Sequence, residues 1–130
     1  MIEGEGIFVD LKNLRRVVKK AQFLMEKADR IVYGTPLLEM ITLALESFEM
    51  AYDFPDDRQH YARELKARCM VIRLDVEDIF EVNALKGKDA ITGRSADSVK
   101  LEIAELTGRI DKGVCRYVNS VFKGKTTVIG

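Results

Sequence analysis

Four acidic side chains have the spacing from which metal chemistry is built. Glu46 and Glu49 stand three residues apart, as do Asp75 and Asp78. Carboxylates at i and i+3 project from one helical face, and two such pairs converging across a bundle could hold magnesium for phosphate hydrolysis. Helical angles set Glu46 and Glu49 away from the apolar stripe of their own segment, so the two pairs would meet only across an exposed surface. His60 has no Ser or Cys partner near it in sequence and reads as a surface or capping residue. Two cysteines and one histidine are too few for a zinc site built from Cys and His. Cys69 falls on an apolar stripe and reads as a small buried hydrophobe, while Cys115 falls on a secondary line and reads as interfacial. The expectation is a protein with no catalytic residues, metal ligands or cofactor.

A second chemically suggestive set is cationic. Lys12, Arg16, Lys19, Lys27 and Arg30 recur along one outward line of a helix predicted over 10–33, with Phe23 among them. A row of Lys and Arg neutralises phosphates, and an aromatic within it offers a surface for a base. Lys12, Arg16, Lys19, Phe23, Lys27 and Arg30 are therefore the predicted residues for binding nucleic acid or an acidic partner. The bland alternative lies in the next segment, 36–54, which carries Glu39, Glu46, Glu49 and Asp53 and no basic residue. That acidic segment could simply neutralise the basic one. Over the whole chain 21 Lys and Arg balance 21 Asp and Glu, for a formal net charge of +0. Global attraction to polyanions is thereby removed, and only local patches remain.

The elements that position these residues read as helices. Arg58, Ala62, Leu65, Cys69, Ile72, Val76, Ile79 and Asn83 alternate at steps of four and three, the seam of a long packed helix. Similar seams predict helices over 10–33, 36–54, 57–85 and 94–122. Gly34 reads as the stop of the first, and Thr35-Pro36 as the cap and first position of the second. Lys123-Gly124 reads as the end of the fourth. A flexible arm over 1–9 and a tail over 124–130 flank the bundle, and the loop 86–94, with Gly87 and Gly93, is the longest connection inside it and reads as mobile. Chain length, at 130 residues, fits one domain. With short connections, an all-α, antiparallel up-down-up-down four-helix bundle is predicted. Acidic Glu3 and Glu5 near the start argue against a signal peptide, and the absence of a long apolar run argues against a membrane partner. Cysteine usage fits a reducing cytoplasm.

Three of the four helices carry a second apolar line. Met40, Leu43, Ser47, Met50 and Phe54 form one; Met70 and Leu74 belong to another; Leu101, Ala104 and Gly108 belong to a third. Ala104 and Gly108 are small and four apart, which lets another helix approach closely. The predicted oligomer interface is therefore Met40, Leu43, Met50, Met70, Leu74, Leu101, Ala104 and Gly108, in a homo-oligomer with a ring preferred to a two-fold dimer.

The opening Tyr33-Gly34-Thr35-Pro36 before 37–52 carries a family resemblance. So do the run Tyr61-Ala62-Arg63-Glu64-Leu65-Lys66-Ala67-Arg68 into Ile72-Arg73-Leu74-Asp75, and the closing Leu101-Glu102-Ile103-Ala104-Glu105-Leu106-Thr107-Gly108-Arg109-Ile110. Together they resemble the four-helix-bundle family of accessory variability determinant (Avd-like) proteins of diversity-generating retroelements. The bundle proteins encoded within large-subunit rRNA intervening sequences are similar too. The resemblance implies a non-enzymatic accessory protein that assembles as a ring, a pentamer in the retroelement proteins, and binds a reverse transcriptase and RNA or DNA. Those proteins are strongly basic whereas this chain is neutral, which makes oligomerisation the firmer of the two expectations. Glu46, Glu49, Asp75 and Asp78 also resemble the paired acidic steps of all-α nucleotide pyrophosphohydrolases, the magnesium-dependent alternative. A purely structural helical bundle is the remaining one.

Overall fold

A computed structural model describes residues 4–129, with side chains described over 4–123. Among the described residues there are four long helices and no strand: α1 (Glu5–Ala21), α2 (Lys27–Asp53), α3 (Arg58–Glu81) and α4 (Ala96–Ile129). Each buries the face its apolar spacing marks out. Leu11, Leu14 and Val18 of α1 meet Leu37, Ile41 and Ala44 of α2, Leu65, Ile72 and Ile79 of α3, and Val99, Ile103 and Ile110 of α4 in one core. Helix α1 packs against α2 and α4, and α3 does the same. Helix α2 is long and apolar enough to cross a membrane by length and composition alone, and its apolar stripe lies in this core.

Of the loose arm expected over 1–9, residues 5–9 are instead helical, and residues 1–3 lie outside the described residues. Helix α1 begins at Glu5, after Gly4 at a left-handed φ of 80°. The reason is that the apolar step continues backwards: Ile7 stands four residues before Leu11 and is only 4% exposed, while the Phe8 ring packs 5.6 Å from that of Phe48. Gly4 lies so close to the Phe48 ring that a Cβ there would come within 2.9 Å of it.

The first corner also falls elsewhere. The helix expected over 10–33 ends after a 3-10 turn at Gln22–Leu24, where Met25 and Glu26 become extended with ψ of 145° and 156°. Lys27 onward belongs to α2. Gly34 and Thr35 do not separate two helices, since both keep helical dihedrals. Pro36 lacks an N–H and its ring crowds the carbonyl one turn back, and the wider π turn at Arg30–Gly34 absorbs that strain without breaking the helix. Gly34 is needed for packing rather than for stopping: a Cβ there would come within 3.1 Å of Gln22 and 3.2 Å of the Met25 sulfur. The corner is thus set where Gln22 and Met25 close against α2.

Helix α3 stops at Glu81, four residues before the expected Leu85. Asn83 takes a left-handed φ of 54°, which turns Ala84 and Leu85 into the core, and the Lys86 N–H donates to the Leu24 carbonyl at 3.0 Å. The following loop, expected to be mobile, carries its own bonding: the Asp89 carboxylate accepts the N–H groups of Ile91 at 2.8 Å and Thr92 at 3.3 Å. These bonds hold the Asp89 carboxyl below its usual range. Helix α4 runs past Lys123-Gly124 to Ile129, so the stop expected there is not seen; of the tail expected over 124–130, residue 130 lies outside the described residues. One glycine inside a helix costs about 1 kcal/mol, too little to end it.

Candidate nucleic-acid interface

Helix α1 places Lys12, Arg16 and Lys19 on its exposed side and Arg15 at the edge of its buried stripe. Beside them, between α1 and α2, runs a groove of about 530 Å³. Its α1 wall is Phe8, Lys12, Arg15, Arg16 and Lys19, and its α2 wall is Thr42, Leu45 and Glu49. The Arg15 Nε donates to the Thr42 hydroxyl at 3.1 Å, and Arg16 donates to the Asn13 amide oxygen at 3.4 Å. The Lys12 ammonium sits 5.4 Å above the Phe8 ring. Among the described residues none of these four cations makes an ion pair, and Glu49 is the one carboxylate in the lining. The alternative in which acidic α2 neutralises basic α1 through ion pairs is therefore not what the described side chains do. Lys12 and Lys19 are separated by about 10 Å along the axis at ~1.5 Å per residue, so the charge is concentrated.

A second groove, about 600 Å³, lies on the other flank of α1 against α4 and includes Arg16, Lys20, Arg94 and Arg109. Two of its three arginines are engaged in ion pairs. Arg94 pairs with Glu102 and donates to the Ser98 hydroxyl, and Arg109 pairs with Asp10 at 3.2 Å. The two grooves thus differ in how much positive charge is left for a ligand.

The expected single line of six residues is broken. Lys12, Arg16 and Lys19 share α1, Phe23 lies on the 3-10 turn and is 73% exposed, and Lys27 and Arg30 lie beyond the corner on the first turns of α2. The line was drawn through a helix that turns at Met25 and Glu26, so its two ends point along different axes. Arg15 and Thr42 were missed. The angle of Arg15, beside the Leu11–Leu14–Val18 stripe, was a signal that it flanks a neighbour, but nothing in one helix announces a hydroxyl supplied by another.

The expected interface residues are spread over α2, α3 and α4. Leu43, Met70, Leu74, Ala104 and Gly108 are exposed, Leu101 is 61% exposed within the α1/α4 groove, and Met40 and Met50 are half-buried. Ser47, expected on the outer line, is 1% exposed. It turns into the α2/α3 seam because polar partners wait there: its hydroxyl accepts from Arg68 at 2.8 Å and donates to the Leu43 carbonyl at 3.2 Å. Arg68 also donates to that carbonyl and pairs with Glu64.

Glu46, Glu49, Asp75 and Asp78 do not converge; among the described residues no group of three or more His, Cys, Asp or Glu is placed to hold a metal. Partial burial and then the neighbouring Asp78 push the Asp75 carboxyl up, with no cation bonded to it to reverse the effect. His60 lies 3.6 Å from Glu64 and edge-on to Tyr61. Burial, with Asp111 as the smaller cause, pushes the Cys69 thiol up to about 12, while Cys115 is exposed. No family model, curated protein or solved structure matches this chain.

Proposed function

We propose that this chain is a non-enzymatic accessory protein of the cytoplasm, a homo-oligomer that binds nucleic acid and a polymerase-like protein partner. The observation that carries the reading is the α1 row of cations that, among the described residues, no carboxylate pairs, facing a groove with a single described acid in its lining. Local potential of this kind attracts phosphates even in a chain of zero net charge. The bundle is antiparallel and up-down-up-down. Supporting this, as numbers rise along α3 from Arg58 to Arg68, their bonded partners on α2 fall from Ala51 to Leu43. From Arg73 to Asn83, partners on α4 fall from Asp111 to Lys100.

The exposed Met70, Val71 and Leu74, which adjoin on one face of α3, favour a self-association surface there. A ring, pentameric if the chain follows the proteins it resembles, would repeat the α1 row in every copy and so add individually weak phosphate contacts. The magnesium hydrolase alternative needs Glu49 beside Asp75 and Asp78, and Glu49 instead lines the groove with the α1 cations.

Light scattering should give a mass well above the 14.7 kDa monomer, and Leu74→Glu should lower it, because an unpaired carboxylate in an interface costs several kcal/mol. A monomeric wild type rejects the oligomer. Lack of any nucleic-acid retention at about 50 mM salt, where phosphate contacts are strong, rejects the nucleic-acid role.

A further inference from the structure

We propose that the groove between α1 and α2 takes a single strand of nucleic acid in preference to a duplex. The inference rests on the nucleic-acid reading above and narrows it to a ligand class. The groove is two-natured: Arg15, Arg16 and Lys19 supply charge along one wall, while Phe8 on that wall and Leu45 on the other supply apolar surface. A single strand presents both complementary parts, an accessible phosphate edge and unstacked bases that lie against aromatic and aliphatic surface. A duplex keeps its bases stacked inside. Its phosphates would meet only the outermost side chains, Lys12, Arg16 and Lys19, leaving the half-buried Arg15 and the apolar surface of Phe8 and Leu45 without a role.

Lys12 now covers the Phe8 ring at 5.4 Å, and a phosphate drawing that ammonium outward uncovers the ring for a base. Arg15 is held toward the groove by Thr42 at 3.1 Å, which leaves its remaining N–H groups to donate. Glu49 is the opposing charge on the α2 wall, and it repels a phosphate lying inside the groove more than one resting on the crest.

Fluorescence anisotropy with a labelled single strand, run as oligothymidine and as oligouridine, is compared with a duplex of the same length. The single strand should bind about tenfold or more tightly, as expected where stacking adds to charge. Arg15→Ala should lower the slope of log affinity against log salt by about 0.7, the contribution of one phosphate contact to a single strand. Glu49→Gln, a surface change that leaves the core intact, should tighten the single strand several-fold and leave the duplex where it was. Equal or tighter duplex binding overturns the proposal, as does an equal response of both ligands to Arg15→Ala and Glu49→Gln. Those results leave the broader reading standing, whereas retention of neither ligand removes both.

Discussion

On one side of α2, Arg15 reaches across from α1 to the Thr42 hydroxyl and meets no carboxylate. On the other, Arg68 reaches across from α3 to the Leu43 carbonyl and the Ser47 hydroxyl while Glu64 neutralises it. Both arginines bridge two helices through similar donors. What separates them is one turn of local sequence: four residues before Arg68 stands Glu64, whereas four before Arg15 and Arg16 stand Leu11 and Lys12. In the seam the guanidinium and its carboxylate complete a packed, hydrogen-bonded interface. In the groove the charge has no such partner and is available to a ligand. Two regions with the same residue types can therefore differ in how much charge is left unpaired, and the position of a carboxylate decides which.

The largest effect expected from testing this contrast is on stability. Glu64→Ala leaves the Arg68 guanidinium in the seam without its counter-charge and should cost about 1–3 kcal/mol in urea denaturation. Lys19→Ala, whose ammonium has no bonded partner, should stay within about 0.5 kcal/mol. Equal costs would erase the distinction.

A smaller effect comes from writing the seam's spacing into the groove. Lys12→Glu places a carboxylate four residues before Arg16, the relation Glu64 has to Arg68. The new pair should add about 0.3–0.5 kcal/mol of stability while reducing nucleic-acid retention at low salt. Retention unchanged by this reversal would mean that the α1 row is not the binding surface.

The smallest effect concerns Asp89, whose carboxylate feels Lys20 of α1. Backbone N–H groups of Ile91 and Thr92 hold the Asp89 carboxyl below the ordinary value of 3.8, with Lys20 as a lesser cause. A folded-state value below the unfolded one gives stability that is present above the ordinary aspartate range and is lost as pH falls through the folded value. Amide protection at Ile91 and Thr92 should therefore persist at pH 3.8 and disappear only at lower pH. Loss of protection above that point would show that Asp89 does not order the loop.

Much of the architecture was legible in residue spacing. The seam from Ala62 to Ile79 is buried along its length, and the seams of the other helices lie in the same core. The cationic character of 12–19 was legible too, because charge at helical spacing needs no partner to be seen. The helix over 5–9 was not anticipated, although Ile7 carries the period one step further. The position of Ser47 was misread because its angle alone suits either an outer line or a seam, and only Glu64 and Arg68 on α3 make the seam the better place for a hydroxyl.

By itself the sequence determined that four amphipathic helices would form around one core, since apolar steps of three and four have no other way to leave water. It also determined that α1 would be cationic and α2 acidic. Only the tertiary structure decided where the first corner falls. Gly34 and Pro36 read locally as punctuation, yet the chain passes through both as helix, because Gln22 and Met25 pack flush against Gly34 and the π turn accommodates the proline. The position of that corner in turn sends Lys27 and Arg30 onto α2 and leaves Lys12, Arg15, Arg16 and Lys19 facing the groove. Helical period is a property of neighbours in sequence, whereas a corner is set by what the two helices touch on either side of it.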